Sequence, residues 1–127
     1  MAAESMGHTL IEQLPDVRGR LRADEPLAKY TWFRVGGAAE VLFEPADVED
    51  LRHFLKNWSS DVDVTVIGGT SNILVRDGGI PGVVVRLVKA FADITTSDNQ
   101  VHAGAAAADV NIARKARDAG IGGLEFL

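Results

Sequence analysis

Cysteine is missing from this 127-residue chain. Its absence excludes a disulfide framework, a zinc–thiolate site and a thiol nucleophile, and it fits a reducing compartment. An excess of basic charge is missing too. Lys and Arg number 13 against 18 Asp and Glu, for a formal net charge of −5. The densest basic group is Arg114, Lys115 and Arg117, which reads as the solvated side of a helix. A nucleic-acid surface would need a basic patch, so nucleic acid is not an expected partner. No apolar run approaches the roughly 20 residues of a membrane span. The N-terminus lacks the basic-then-apolar layout of a secretory signal. The expectation is a cytoplasmic protein with no membrane partner. There is no internal repeat and no low-complexity tract. What is present is ordinary for a globular domain with a core: 46% hydrophobic and 24% charged residues.

Along the chain, residues 1–20 are weakly patterned, with a helical turn or two in "HTLIEQL" before Pro15. "GRLRADEPLAKYTWFRVGG" is broken into extended pieces by Pro26 and the Gly36–Gly37 pair. "AAEVLFEP", Ala38 to Pro45, is rich in strand formers and stopped by proline. Asp47 to Trp58 is the clearest helix. Asp47 suits the N-cap, Asp50 the first turn, and Val48, Leu51, Phe54, Leu55 and Trp58 form one apolar stripe. His53 reads as a helix-surface residue. "VDVTVIGG" predicts a strand buried on both faces. Strand, helix and strand from Ala38 to Ile67 make a βαβ unit with parallel strands. "GVVVRL", Gly82 to Leu87, is a third strand. Two short strands about a turn at Ser97 to Asn99 make a hairpin. Asp109 to Ala119 is a second helix, with Val110, Ile112, Ala113, Ala116 and Ala119 apolar and Gly120 as its left-handed C-terminal residue. The apolar ending "GIGGLEFL" predicts a fragment of something longer.

The stretch with most chemical content is "VTVIGGTSNILVRDGG", Val64 to Gly79. An apolar strand stops at two glycines and small polar residues follow. At the carboxyl end of a parallel strand, bare backbone N–H groups can curl into a nest for an anion, with Thr70, Ser71 and Asn72 adding short donors. A phosphate or pyrophosphate is the natural guest, and a plain tight turn is the competing reading. The loop is neither G-x-x-x-x-G-K-[ST] nor G-x-G-x-x-G, so it is not a P-loop or a Rossmann loop.

Four ordered blocks then carry a resemblance: "YTWFRVGGAAEVLFEP", "VTVIGGTSNILVRDGGIPGVVVRL", "VHAGAAA" and "AGIGGLEFL". Over roughly Leu21 to Leu127 the chain resembles the N-terminal part of the UDP-N-acetylenolpyruvoylglucosamine reductase family, flavoenzymes of bacterial cell-wall precursor synthesis. The resemblance implies an α+β fold of the vanillyl-alcohol-oxidase and para-cresol-methylhydroxylase type. A small parallel βαβ lobe at residues 21–88 would be followed by the start of a mainly antiparallel lobe at 89–127. Residues 1–20 would be an extension, and the substrate domain would be lacking. The resemblance further implies FAD, with Gly68, Gly69, Thr70, Ser71 and Asn72 cradling its pyrophosphate and Ile67, Ile73 and Leu74 packing beside it. Thr70 departs from the family pattern, which often has glycine there; a threonine disfavours positive φ.

In such enzymes NADPH reduces FAD, and the reduced flavin passes hydride to the enolpyruvyl double bond of a UDP-sugar. The family's arginine, glutamate and serine for that chemistry lie further along, so no catalytic residue is expected in these 127 residues. Arg34 reads either as a cofactor clamp or as a strand-end surface arginine, Glu125 as structural or flavin-adjacent, and His102 as a partly exposed sheet residue. Two other readings stay open at this point. One is a different flavin oxidoreductase of the same superfamily. The other is a truncated, non-catalytic binding module, supported only by the apolar end at Leu124 to Leu127.

Overall fold

The computed structural model describes residues 6–127. Two strands carry its core. β2 (Ala38–Glu44) and β4 (Ile80–Arg86) pair in parallel, and Val41, Leu42, Phe43, Val83, Val84 and Val85 have no exposed surface. Such unbroken apolar runs require cover on both faces of the sheet. β1 (Arg20–Pro26) lies antiparallel on the far side of β2, and β3 (Val64–Ile67) lies parallel on the far side of β4. The order β1-β2-β4-β3 therefore makes a mixed sheet, not the all-parallel unit the sequence predicts.

One face is covered by α1 (Met6–Ile11) and α2 (Val48–Asn57). Leu10, Ile11, Leu14 and Val17 pack there. Residues 6–19 are thus part of the packed unit and not an extension standing off it; residues 1–5 lie outside the described residues. Phe43 and Phe54 meet with ring centroids 4.7 Å apart, a tilted aromatic pair. The other face is covered by Leu27, from a single 3₁₀ turn, and by Ile73 and Val75. The last two belong to the irregular crossover between β3 and β4, a connection that usually carries a helix.

Two sequence expectations need correction. β3 is not buried on both faces: β4 slots between β2 and β3, so β3 becomes an edge, and Val66 is 60% exposed. The α2 stripe is only partly buried. Leu51, Phe54 and Trp58 fall within about 60° of one another around the helix and face the sheet. Val48 and Leu55 lie on the rim of that stripe and are exposed.

The chain ends in a second, smaller unit. β5 (Ile94–Ser97) and β6 (Gln100–Ala103) form the predicted antiparallel hairpin, with Asp98 at φ 51° in its turn. α3 (Asp109–Asp118) follows. Its end is a Schellman motif: the Ile121 N–H donates to Ala116 O at 2.8 Å and the Gly120 N–H to Arg117 O at 3.0 Å, with Gly120 at φ 72°.

Asp50 locks the N-terminal segment to the sheet. Its buried carboxylate accepts the N–H groups of Arg18 (2.8 Å), Gly19 (2.8 Å) and Ala46 (2.9 Å), while the Asp47 carboxylate caps α2 through the Asp50 N–H at 2.8 Å. Burial pushes the Asp50 carboxyl up, and the three amides and Arg18 more than reverse this, leaving it below its ordinary value. A carboxylate depressed in the folded state contributes stability above its unfolded value, near about 3.9, and loses it as pH falls toward the folded value. Asp50→Asn should therefore cost about 2 kcal/mol at neutral pH, and its stability should fall less steeply with acid than the parent's. Denaturant melts at pH 7 and below pH 4 check both; an unchanged acid limb would contradict the assignment.

Candidate functional site

The carboxyl end of β3 opens onto a cleft of about 590 Å³. One wall is residues 66–73 and the other is Ala105 to Asp109, the approach to and first turn of α3; Trp32 stands at the rim. Seven of the eight residues predicted for the site line this cleft: Ile67, Gly68, Gly69, Thr70, Ser71, Asn72 and Ile73. Ile67 is buried and Ile73 half-buried, both packing on the sheet's core. Ser71 and Asn72 are exposed. Leu74 is not brought in. It is 71% exposed and outside the cleft, because the chain alternates inward at Ile73 and Val75 and outward between them.

Two kinds of glycine bear on the site. Gly36, Gly37, Gly79 and Gly82 are required by packing: a Cβ would come within 2.0–2.3 Å of a backbone oxygen. Gly36, Gly79 and Gly82 also have positive φ. Gly68 and Gly69 have neither reason. Their φ values are not positive, a Cβ on Gly69 would meet nothing within 4 Å, and one on Gly68 would meet only Ala105 O at 3.6 Å. Gly78 and Gly122 are also unconstrained, but both lie outside the cleft. Protein packing does not call for bare backbone at Gly68 and Gly69, and a ligand approaching closely would.

Among the described residues, no backbone N–H from Gly68 to Asn72 donates to a backbone acceptor, and a tight turn over Ser71 and Asn72 closes the loop. Opposite them, α3 has Ala108 at its N-cap and no side-chain cap, so among its first-turn amides Asn111 bonds Ala108 O at 2.9 Å while those of Asp109 and Val110 have no backbone partner. Both walls thus present amide donors, the arrangement that suits an anion. No basic side chain lines the cleft, and its one charged residue, Asp109, is acidic. Charge compensation there rests on backbone dipoles.

Thr70 holds the loop. It is 4% exposed and sits at φ 57°, a left-handed conformation unusual for a β-branched residue. Its hydroxyl donates to the Tyr30 carbonyl, with Gly69 O 2.8 Å away, and its own carbonyl accepts the Trp32 N–H at 3.3 Å. The sequence expectation that threonine resists positive φ is met by a residue held there against that preference. Tyr30 is anchored in turn: its hydroxyl donates to Glu25 at 2.7 Å, and the Arg86 guanidinium lies 4.6 Å from its ring centroid. Lys29, opposed by burial and assisted by Tyr30, holds the Glu25 carboxyl below the usual range.

Arg34, His53, His102 and Glu125 lie outside this cleft. Arg34 is exposed in a turn at φ 52°; His53 lies on the outer side of α2 beside Asn57; His102 is exposed on β6. Glu125 accepts the Gly123 N–H at 3.0 and 3.1 Å, and backbone amides lower its pKa. Sequence reasoning did not place Trp32 or Ala105 to Ala108 in the site. The run of four alanines is the available signal, since small residues allow close approach.

No protein-family model matches the chain. Individual relatives do. It is 56% identical over 126 residues to the UDP-N-acetylenolpyruvoylglucosamine reductase of Parvibaculum lavamentivorans, covering 99% of this chain and 40% of that protein. Against the same enzyme of Acidiphilium cryptum it is 59% identical over 114 residues, covering 90% and 37%. The chain is homologous to the UDP-N-acetylenolpyruvoylglucosamine reductases. A crystal structure of the reductase from Thermus caldophilus superposes with a TM-score of 0.61 at 31% identity, covering 87% of this chain and 37% of that one. The chain spans about 40% of the length of the curated reductases it matches.

The two kinds of glycine predict opposite outcomes. Gly79→Ala should cost about 3 kcal/mol or more, since a Cβ would stand 2.0 Å from Ala38 O. Gly69→Leu should stay within about 0.5 kcal/mol of the parent, as surface changes do. Thermal melts of both variants test this, and a large loss in Gly69→Leu would mean that the glycine serves the fold. Thr70→Val keeps the branched shape and removes the tether, so it should destabilise by about 1–3 kcal/mol; Thr70→Ser should stay close to the parent.

Proposed function

We propose that this chain is the FAD-binding, N-terminal portion of a reductase that converts UDP-N-acetylglucosamine enolpyruvate to UDP-N-acetylmuramate, with NADPH as hydride donor. The observation that carries the reading is the pair of cleft glycines that neither dihedral nor packing explains, in a chain more than half identical to reductase relatives over its aligned length.

The residues present fit the diphosphate of FAD. The Gly68 and Gly69 amides, with those of Thr70 to Asn72, would bind its oxygens without an intervening side chain. The Ser71 hydroxyl and Asn72 amide would add donors. Ile67 and Ile73 would give an apolar floor, and the uncapped start of α3 a favourable dipole from the opposite wall. Asp109 opposes this and limits affinity at low ionic strength. FAD, when bound, supplies the hydride-transfer chemistry; this chain's part is to hold and orient it. Residues 21–88 would be the first lobe of a vanillyl-alcohol-oxidase-type flavin fold and residues 89–127 the beginning of the second. The groups that handle the UDP-sugar would lie in the stretch of the relatives that this chain does not span.

The expected result is flavin binding without turnover. Titrating FAD into the purified chain should give a perturbed visible flavin spectrum, and Gly69→Leu should abolish it while leaving the fold intact. Steady-state NADPH oxidation with the enolpyruvyl substrate should stay far below the roughly 1–1000 per second of typical enzymes. Binding unaffected by Gly69→Leu would overturn the assigned site, and turnover at an enzymatic rate would overturn the division of labour.

A further inference from the structure

Trp32 is 78% exposed, although its backbone N–H is tied down. Thr31, just before it, is buried; the Trp32 N–H is tied to the glycine loop at Thr70 O; the Arg34 N–H closes the turn on Thr31 O at 3.2 Å. Arg34 is held at φ 52°, and the Gly37 N–H fixes the following chain to Arg76 O at 2.9 Å. A strained and pinned turn therefore presents a large aromatic side chain that packs on neither core cluster. Strain of this kind is a pointer to function when the observed outlier has no packing reason. Trp32 lines the same cleft as the unpaired loop amides.

We infer that Trp32 is a stacking platform for a planar heteroaromatic ring attached to the diphosphate held by the loop. The inference rests on the FAD reading above and deepens it. Diphosphate oxygens on the Gly68 to Asn72 amides leave the attached nucleoside or flavin to extend to the rim. An exposed indole there offers a π-face that no aromatic or cationic side chain among the described residues stacks on. Adenine and isoalloxazine share this chemistry. The half-molecules ADP and FMN separate them.

The chain has two tryptophans, and Trp58→Phe leaves Trp32 as the sole indole reporter. In that background, FAD should quench Trp32 emission. Trp32→Ala should weaken FAD binding by about tenfold or more, the scale of one lost base–aromatic stack. Its melting temperature should not change, because the ring is exposed. Trp32→Phe should recover most of the affinity. Whichever of ADP or FMN loses affinity in Trp32→Ala carries the stacked ring. Equal FAD affinity in parent and Trp32→Ala overturns the inference alone. No FAD binding by the parent at millimolar concentration overturns the FAD reading and this inference with it.

Discussion

The parallel pairing of β2 with β4 is the constraint on which everything else rests. Six consecutive-strand residues with no exposed surface need apolar cover on both sides. α1 and α2 supply one cover, and a 3₁₀ turn and the β3–β4 crossover supply the other. The crossover cannot be a helix, because Ile73 and Val75 must lie flat on the sheet within a short span. What precedes them is then forced into the open at the carboxyl end of β3. The candidate site is a by-product of covering the sheet: the chain must turn there, and the turn has no ladder partner for its amides.

That turn is held from outside itself. Thr70, in a left-handed conformation, is bonded to Tyr30, and Tyr30 is bonded to Glu25 and flanked by Arg86, which pairs with Glu44 at 3.0 Å. The chain of contacts runs from the loop through the strand ends of β1, β2 and β4. It leaves the loop amides oriented and unpaired before any ligand arrives, which lowers the ordering cost of binding. A glycine at position 70 would adopt the same φ without strain, but it could not make the tether.

Local chemistry was the legible part of the sequence. Asp47 as cap, the hairpin turn at Ser97 to Asn99, Gly120 as the left-handed terminus and the glycine loop at the end of β3 each depend on a few adjacent residues, and all are found. Strand order was not legible. Nothing between Ala38 and Ile67 says that β4 will insert between β2 and β3, so β3 read as interior and Val66 as buried. β1 reads only as one of several extended pieces, because Pro26 and the Gly36–Gly37 pair break the stretch that contains it. Of the site, the loop was visible and the opposite wall was not. Ala105 to Ala108 carry no chemistry of their own, and they matter only because the hairpin returns the chain to face Gly68. Leu74 was assigned by adjacency, and the alternation of a single extended segment sends it outward.

The most direct test of the central claim is a ¹H–¹⁵N correlation spectrum of the chain with and without FAD. The account predicts that the largest shifts fall on the amides of Gly68 to Asn72 and on the first turn of α3, with the core amides of β2 and β4 unmoved. Shifts centred elsewhere, or none in the Gly68 to Asn72 amides while flavin is bound, would contradict it.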